Sequence, residues 1–547
     1  MDAAAMQTTM MRIPLSVNQL LERAGQLFAD REIVSRLPDR SLHRTTYGAM
    51  AARARQLAKA LSLAGVGPGQ PVATLLWNHS VHLEAYFGIP AAGAVLHTLN
   101  LRLSAEELAY IVADAGDRVL IVDEVLLPLW HKLAPLVRIE RVLVVRHGAA
   151  AGELPAGCED YDRFIDVDTA GWCPPELAED APCGMCHTSG TTGRPKGVVY
   201  SHRSTVLHAL GVSLPDCLGL SCQDTVLAVT PMFHANSWGV PYAAAMVGAA
   251  QVFPGPHMGA EDLLELMQRE PVSLALGVPT IWLGILQALD AQPQRWKLRP
   301  GMRMMVGGSA VPPSMIEGFD RHGLAVKHGW GMTELSPVGT LSWLKPQHAA
   351  APLAQQQRVR ALQGLALPLV ELRVMGPDGP QPWDGAAQGE LQVRGPWVSA
   401  GYHGIPASEG SVTGDGWFRT GDVATIDAQG YMRIADRMKD LIKSGGEWIS
   451  SVDLENAIMG HPGVAEAAVV AVAHPRWGER PLAAVVRKPG AQVDEAALRA
   501  HLAAQFARWQ VPDDWAFVDA IPRTSTGKFQ KLRLREQFAA WVSRTPS

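Results

Sequence analysis

Short apolar runs alternate with helical patterns from Val72 to about Gly329. The runs are rich in β-branched residues and predict strands at Val72–Leu76, Val119–Asp123, Val142–Val145, Thr225–Val229, Val272–Leu276 and Met302–Val306. Between them, Ala260–Arg269 and Pro312–His322 repeat apolar residues at helical spacing. This alternation predicts an α/β region whose parallel sheet is covered by helices on both faces.

The pattern changes twice in the rest of the chain. From about Gln363, short strands at Glu371–Met375, Gly389–Arg394 and Tyr431–Ile434 alternate with Gly, Pro and Asp turns, which predicts a small β-barrel-like subdomain. A small α+β domain follows, with helices at Val452–His461 and Glu495–Trp509 and strands at Val464–Val472, Leu482–Arg487 and Trp515–Asp519. We therefore expect a large N-terminal domain of stacked α/β subdomains plus the barrel-like one at residues 1–437, and a small mobile C-terminal domain at residues 438–547.

Length and charge narrow the classes of protein. The chain has 547 residues, enough for three or four structural units at about 150 residues per domain. Its 48 Lys and Arg against 53 Asp and Glu give a net charge of −5, too mild for a dedicated nucleic-acid or membrane-surface binder. No signal-peptide pattern opens the chain, and its most apolar stretch, Val240–Phe253, is interrupted by Pro241. We therefore expect a cytoplasmic protein with no integral membrane segment.

Six cysteines are too few for a disulfide framework in a chain of this length, which fits a reducing compartment. Cys183 and Cys186 have the spacing of a metal or redox pair, but no second CxxC and no nearby HxxxH completes a four-ligand site. We therefore predict that both are small buried residues of a strand.

The segment Thr188–Gly197 reads TSGTTGRPKG and precedes a helical stretch that begins near His202. Hydroxyls and glycines this dense allow backbone N–H groups to point at phosphate oxygens, and Lys196 adds a positive charge. The lysine is followed by Gly197, whereas a Walker loop has Ser or Thr there. The segment therefore predicts a phosphate-binding loop of a different kind.

This loop resembles the phosphate loop of the adenylate-forming superfamily of acyl-CoA synthetases, luciferases and peptide-synthetase adenylation domains. Seven further stretches resemble the family's motifs in the family's order: PMFHANSW at 231–238, GGSA at 307–310, WGMTE at 330–334, TGD at 420–422, DRMKD at 436–440, KSGGEWIS at 443–450 and PRTSTGK at 522–528. The resemblance covers nearly the whole chain. It is nearest to the medium-chain fatty-acid:CoA ligases and the related ligases of 3-methylmercaptopropionate.

The resemblance implies an enzyme that uses ATP and magnesium to convert a carboxylate into acyl-AMP with release of pyrophosphate, and then forms acyl-CoA with release of AMP. The residues it implies for ATP binding are Thr188, Ser189, Gly190, Thr191, Thr192, Lys196, Gly308, Ser309, Ala310, Trp330, Gly331, Met332, Thr333, Asp422 and Arg437. Asp422 and Arg437 would hold the ribose, since one carboxylate can accept hydrogen bonds from both hydroxyls. Glu334 and Thr191 would hold magnesium, because a hard dication takes oxygen ligands.

Lys528, Glu334 and His234 are implied to be catalytic. Lys528 lies in a Ser-Thr-Gly-Lys turn, from which its ammonium group would reach the carboxylate oxygen and the α-phosphate. Attack by the thiol then needs this lysine to withdraw, which the family achieves by rotating the C-terminal domain about a hinge, here Lys439. The residues implied to line the CoA pantetheine tunnel are Gly445, Gly446 and Trp448.

The residues predicted for the acyl pocket are His234, Trp238, Val306 and Gly307. Trp238 resembles the gate of fatty-acyl-CoA synthetases, and Trp330 would face either adenine or this pocket. Ala235 stands where peptide-synthetase domains place an Asp that anchors a substrate amine, which disfavours amino acids. We expect a short- or medium-chain fatty acid, and the exact length stays open because one methylene contributes only ~1–3 kcal/mol.

Three alternatives stay open. A fatty-acyl-AMP ligase that loads a carrier protein would share every adenylation motif, although no obvious insertion of the kind such enzymes carry stands between Asp422 and Arg437. A luciferase-like oxygenase would also form an acyl-adenylate. A catalytically silent nucleotide or acyl-CoA sensor would not need Glu334, Asp422, Arg437 and Lys528 together. The expected partners are ATP, a fatty acid and CoA, with no nucleic acid, and a homodimeric state is left open.

Overall fold

The computed structural model describes residues 8–147, 153–188, 194–406, 411–445, 447–524 and 528–541. Within these ranges the strands form four β-sheets, two large and mainly parallel and two smaller. No helix of the described residues is both long enough and apolar enough to cross a membrane.

The first large sheet is built from residues 71–201. From edge to edge its seven strands are Cys158–Asp160, Arg141–Val145, Val119–Asp123, Pro71–Leu75, Val95–Thr98, Pro182–His187 and Gly197–Ser201. Neighbouring strands are parallel except the last two, which are antiparallel. Every residue of Val119–Asp123 is buried, as expected for a strand covered by helices on both faces. Cys183 and Cys186 are buried in strand Pro182–His187, as predicted.

The second large sheet has nine strands. In order they are Leu365–Ala366, Val338–Leu341, Ala325–Gly331, Arg303–Val306, Leu274–Gly277, Thr225–Ala228, Ala250–Phe253, Glu32–Arg36 and Leu42–Thr46. The six from Ala325–Gly331 to Glu32–Arg36 are parallel. Val338–Leu341 and Leu42–Thr46 are antiparallel to the strands beside them, and Leu365–Ala366 is antiparallel to Val338–Leu341. The alternation in the sequence predicted one parallel sheet, whereas the structure divides those strands between two. Local patterns specify strands but not which strands become neighbours.

Helices cover both large sheets. They are Val17–Leu27, Tyr47–Leu63, Ser80–Ala91, Ala105–Ala115, Leu127–Leu133, Tyr161–Ile165, His202–Ser213, Val240–Val247, Ala260–Arg269, Pro279–Ala291, Pro313–Arg321, Pro346–Ala349 and Leu353–Ala361, with 3₁₀ turns at Glu124–Leu126, Ala134–Leu136 and Thr333–Leu335. Helix Ala105–Ala115 shows how the sequence defines both ends. Ser104 and Glu107 form a capping box at its start, and Gly116 adopts φ +75° at its end.

The third sheet lies where the barrel-like subdomain was predicted. Its five antiparallel strands are Gly379–Pro380, Glu371–Gly376, Gly389–Arg394, Phe418–Ile426 and Met432–Arg437. The last strand continues three residues beyond the predicted Ile434. Because of this extension, Arg437 stands opposite Asp422 in the strand register.

The end of the chain folds around the fourth sheet. Its strands are Glu447–Ile449, Ile442–Ser444, Gly478–Arg487 and Val464–His474, with Asp514–Phe517 added beside Gly478–Arg487, and its helices are Ser451–Met459, Glu495–Ala503 and Lys531–Gln537. The predicted helix Glu495–Trp509 ends early, at Ala503. Arg480 donates to the carbonyl of Trp509, and the Trp509 ring is exposed, so Trp509 adds no buried contact that would prolong the helix.

Candidate active site

A cavity of about 930 Å³ lies at the carboxyl ends of four neighbouring parallel strands of the nine-stranded sheet. Thr230, Val278, Gly307 and Met332 line it, each within two residues of the end of its strand. The predicted site residues that line this cavity are Thr188, Lys196, His234, Trp238, Gly307, Gly308, Ser309, Ala310, Trp330, Gly331, Met332, Thr333, Glu334, Asp422, Arg437, Lys439 and Lys528. Residues far apart in the sequence thus share the edge at which open α/β sheets bind ligands.

Two hydrogen bonds between Thr188 and Lys196 join the two sides of the phosphate-loop stem. The Thr188 N–H donates to the Lys196 carbonyl at 2.9 Å, and the Lys196 N–H donates to Thr188 Oγ1 at 3.2 Å. One residue further out, His187 and Gly197 face each other in antiparallel register. Four predicted residues of this loop lie outside the described residues: Ser189, Gly190, Thr191 and Thr192.

Asp422 is held on both sides by predicted site residues. Arg437 Nε lies 2.7 Å from its Oδ1, and the Trp330 indole N–H donates to its Oδ2 at 2.8 Å. The carboxylate is buried, so these two donors offset the cost of removing its charge from water. Trp330 was predicted to face adenine or the acyl pocket, and its hydrogen bond to Asp422 is a contact that the sequence did not predict.

Glu334 lies in a short 3₁₀ turn, Thr333–Leu335, that follows strand Ala325–Gly331. The Tyr402 hydroxyl donates to Glu334 Oε1 at 2.6 Å. The Tyr200 hydroxyl donates to the Thr333 carbonyl at 2.9 Å, which fixes the same turn. Sequence reasoning missed Tyr402, because it is 68 positions from Glu334 and belongs to no pattern that marks a site.

Lys528 reaches the cavity from the C-terminal part of the chain. A Cβ atom built on Gly308 would lie 3.3 Å from Lys528 Cε, so the lysine chain passes directly over this glycine. Gly308 also has φ +90°, a conformation that favours glycine. Burial and the positive charge of Arg437 lower the pKa of Lys528 to about 8.

An unusual turn joins His234 to Trp238 at the wall of the cavity. Residues 235–238 all have φ between +43° and +58°, and Gly239 follows at +72°, so the backbone makes a left-handed turn. Such a run is costly for L-residues and persists where the surroundings enforce it, a situation common at functional sites. Burial, with the charges of Lys528 and Arg102, lowers the pKa of His234 to about 3, so its imidazole is neutral at pH 7.

The left-handed turn brings Trp238 against Gly307. A Cβ atom on Gly307 would lie 3.2 Å from Trp238 Cη2 and 3.1 Å from the Gly329 carbonyl oxygen. The prediction for Val306 is wrong, because its side chain is fully buried in the core and does not line the cavity. Side chains alternate along strand Arg303–Val306, and Met305 lines the cavity instead.

Two of the residues predicted for the pantetheine tunnel, Gly445 and Trp448, are not at this cavity. Gly446 lies outside the described residues. Gly445 adopts φ +62° and packs against Trp477, where a Cβ atom would come within 2.8 Å of the indole ring. The structure therefore places Lys528 in the cavity and Gly445 and Trp448 elsewhere.

The described residues fit a magnesium ion at Glu334. Its carboxylate lines the cavity, is anchored through one oxygen by Tyr402, and is the type of ligand that a hard dication prefers. Thr191, the second predicted ligand, lies outside the described residues.

A second group of metal-type side chains, His79, Asp123 and His147, lies at the carboxyl edge of the seven-stranded sheet. His79 Nδ1 accepts the His82 N–H at 3.2 Å, so the ring proton is on Nε2 and donates to Asp123 at 2.9 Å. His147 Nε2 lies 2.8 Å from the same carboxylate. These hydrogen bonds occupy the lone pair that a metal would need on His79. The group therefore joins two loops to the end of strand Val119–Asp123 without needing an ion.

Comparison with known proteins places the chain in a family. The AMP-binding enzyme model matches residues 21–403, and the model of the AMP-binding enzyme C-terminal domain matches residues 453–528. A long-chain fatty-acid–CoA ligase of Thermus thermophilus is 49% identical over 98% of this chain and 97% of its own length. A 3-methylmercaptopropionyl-CoA ligase of Ruegeria pomeroyi is 46% identical over 97% and 98%. A medium-chain fatty-acid–CoA ligase of Ectopseudomonas oleovorans is 42% identical over 98% of both.

Solved structures agree with these relatives. The anthranilate CoA ligase AuaEII, bound to anthranoyl-AMP, superposes with a TM-score of 0.84 at 25% identity, covering 96% of this chain and 99% of that one. ATP-bound MatB from Rhodopseudomonas palustris superposes with a TM-score of 0.79 at 27% identity over the same shares. The chain therefore belongs to the AMP-binding enzyme family, among its adenylate-forming acyl-CoA synthetases.

Proposed function

We propose that this enzyme is an ATP-dependent fatty acid:CoA ligase that acts on short- and medium-chain acids. The observation that carries the proposal is that Lys528, Glu334, Asp422 and Trp238 line one cavity, although they come from four separate parts of the chain. Its polar end suits a nucleotide and its apolar end suits an acyl chain. The residues between the two ends are those that would hold a carboxylate and an α-phosphate for reaction.

The nucleotide occupies the polar end. Asp422 accepts hydrogen bonds from the ribose hydroxyls, and Arg437 and Trp330 hold that carboxylate in place. Gly308, Ser309 and Ala310 line the adenine wall, where small side chains admit a flat ring. Lys196 and the loop from Thr188 to Thr192 bind the β- and γ-phosphates. Glu334 and Thr191 hold magnesium, which when bound spreads the charge of the leaving pyrophosphate.

The first reaction step joins the acid to AMP. A carboxylate oxygen attacks the α-phosphorus, the bond from that phosphorus to the bridging oxygen breaks, and pyrophosphate leaves with the electron pair. The Lys528 ammonium neutralises charge between the two reacting anions, while Thr333 lies beside the α-phosphate. His234, neutral at pH 7, lines the path of the carboxylate without adding charge.

The second step moves the acyl group to CoA. The thiol loses its proton, its sulfur attacks the carbonyl carbon, and AMP leaves with the bridging oxygen. Lys528 occupies the approach in the present arrangement, so the C-terminal domain, residues 438–547, turns about Lys439 relative to the N-terminal domain, residues 1–437. This rotation brings Gly445, Gly446 and Trp448 to the cavity to line the pantetheine tunnel.

The apolar end limits the length of the acid. Trp238 stands against Gly307, and Val278, Leu283 and Met305 complete the wall. Large side chains that converge on a glycine leave room for a short chain. Two relatives are named for medium-chain fatty acids and 3-methylmercaptopropionate, whereas the Thermus thermophilus relative is named for long-chain fatty acids.

The test is release of pyrophosphate and AMP with ATP and magnesium over acids from C3 to C16, including 3-methylmercaptopropionate, with and without CoA. Turnover that needs CoA and is fastest with short or medium chains supports the proposal. Acyl-adenylate without a CoA thioester would instead indicate a ligase that loads a carrier protein. A chain that releases no pyrophosphate with any acid would be a sensor rather than a ligase.

A further inference from the structure

Tyr402 stands between two groups of opposite charge. Its hydroxyl donates to Glu334 Oε1 at 2.6 Å, and the Lys196 ammonium lies 4.9 Å from the centre of its ring. Both charged residues lie in the described part of the chain and line the same cavity, yet no ion pair joins them. The tyrosine thus offers one polar edge to the carboxylate and one π face to the cation.

The backbone around Tyr402 is tied to the same two places. The Ser399 N–H donates to the Glu334 carbonyl at 2.7 Å, and the His403 N–H donates to the Gly197 carbonyl, next to Lys196, at 2.8 Å. Phe418 packs edge-on against the Tyr402 ring, with ring centres 6.3 Å apart. Residues 399–403 therefore form a strap that fixes the carboxylate turn and the phosphate-loop stem relative to each other.

Separation of these two charges has a chemical purpose. An ammonium and a carboxylate in one cavity attract each other, and an ion pair between them would occupy the groups that the phosphates and magnesium need. Lys196 is exposed, and its long side chain can adopt several rotamers. The aromatic ring holds the ammonium by a weaker attraction, which an incoming phosphate can replace.

We propose that Tyr402 is a positioning residue that keeps Lys196 and Glu334 apart, so that the first is available to phosphate and the second to magnesium. This role rests on the proposed function, because it assumes that ATP and magnesium bind in this cavity. Tyr402 acts through its contacts with these two neighbours.

The role divides between the hydroxyl and the ring, and two variants separate them. Tyr402→Phe keeps the ring under Lys196 but removes the hydrogen bond to Glu334. Tyr402→Leu removes the π face as well, so that Lys196 is free to pair with Glu334. Phe418→Leu is the control for packing, because it loosens the same ring without touching either charge.

The measurement is ATP binding by calorimetry on the full chain, with magnesium and with EDTA. We expect Tyr402→Phe to bind ATP in EDTA within twofold of wild type, but to lose about fivefold or more of the affinity that magnesium adds. We expect Tyr402→Leu to lose about fivefold or more already in EDTA. Addition of Glu334→Gln to Tyr402→Leu should restore that EDTA affinity, because the competing anion is gone.

Three results would overturn the role. The first is an ATP affinity equal to that of wild type, with and without magnesium, in both tyrosine variants. The second is failure of Glu334→Gln to restore the ATP affinity of Tyr402→Leu in EDTA. The third is an equal loss in Phe418→Leu, which would reduce Tyr402 to packing. If Tyr402→Leu does not fold, the ATP affinities of Tyr402→Phe with magnesium and with EDTA are sufficient to test the role. If the wild-type protein binds no ATP, both the proposed function and this role are wrong. If the wild-type protein binds ATP and any of the three results is found, only the role of Tyr402 is wrong.

Discussion

The indole N–H of Trp330 donates to Asp422 Oδ2 at 2.8 Å, although the two residues are 92 positions apart. Both are buried, and Arg437 holds the other carboxylate oxygen. A carboxylate fixed on both sides presents its remaining lone pairs in one direction. In the proposed function this carboxylate accepts hydrogen bonds from the ribose, and its two partners hold it ready for that role.

Replacement of Trp330 by Phe tests this arrangement. The variant keeps an aromatic ring but loses a hydrogen bond to a charged group, a loss of about 1.5–3 kcal/mol. We expect weaker AMP binding by about tenfold or more, measured by calorimetry. Trp397→Phe is the matched control, because its indole N–H donates to the neutral Val338 carbonyl. Equal AMP affinity in Trp330→Phe and wild type would show that Asp422 does not need this donor.

The pH dependence of adenylation follows from Lys528. Its pKa is lowered to about 8 by burial and by Arg437, so the ammonium form is lost as the pH rises through 8. We expect pyrophosphate release to fall above about pH 8. Lys528→Arg should remove this decline, because a guanidinium stays charged. Lys528→Gln should lose about a hundredfold or more of the rate at every pH, and a full adenylation rate in it would contradict the assigned role.

The lowered pKa of Lys528 has opposite effects on rate and on stability as the pH rises. The unfolded chain keeps Lys528 protonated up to its ordinary pKa of 10.5, while the folded chain releases that proton near 8. Between these values the unfolded state binds more protons, so this residue favours folding more as the pH rises. A fall in rate above pH 8 without a fall in melting temperature would therefore separate loss of the ammonium from unfolding.

Trp238 should set the length of the acid. Trp238→Ala opens the wall beside Gly307, and we expect the best substrate to become longer by several methylenes, each contributing about 0.8 kcal/mol when buried. The check is kcat/KM over the C3 to C16 series. Val306→Ala is the control, because its side chain faces the core: it should lower the melting temperature without moving the chain-length optimum. An unchanged chain-length optimum in Trp238→Ala would show that other residues limit the length of the acid.

Ser451 should stabilise the arrangement that performs the first step. It lies in the proposed C-terminal domain, and its N–H donates at 2.6 Å to Asp436 on the other side of Lys439. Its hydroxyl donates to the same carboxylate at 2.5 Å. We expect Ser451→Ala to slow pyrophosphate release several-fold and to leave thioester formation from supplied acyl-AMP unchanged. Ser213→Ala, which removes a hydroxyl that bonds only within its own helix, should change neither rate. Equal slowing of both steps by Ser451→Ala would refute this role.

The sequence predicted most elements of the site because each motif is local. A strand followed by Thr188–Gly197, or the Thr-Gly-Asp run at 420–422, keeps its pattern whatever the rest of the chain does. Several strand bounds differ from the predicted ones by one or two residues, and helix Ala260–Arg269 begins and ends as predicted. The roles of the individual residues stay predictions until the variants above are measured.

Long-range contacts could not be predicted in this way. Tyr402 reaches Glu334 and Trp330 reaches Asp422 only because separate sheets meet at the cavity. Val306 was assigned to the acyl wall on its distance from Gly307 in sequence, but the two-residue alternation of its strand turns it into the core. The left-handed turn at 235–238 gave no signal either, since Ala, Asn, Ser and Trp do not mark such a conformation as glycine does.

The most direct test of the account is a single turnover with ATP, CoA and a medium-chain acid carrying ¹⁸O in both carboxylate oxygens. Attack of the carboxylate on the α-phosphorus, followed by cleavage at the carbonyl carbon, transfers one labelled oxygen to AMP. We expect AMP with one ¹⁸O and unlabelled pyrophosphate, by mass spectrometry. Label in pyrophosphate or in inorganic phosphate, or unlabelled AMP beside acyl-CoA, would contradict an acyl-AMP intermediate in this cavity.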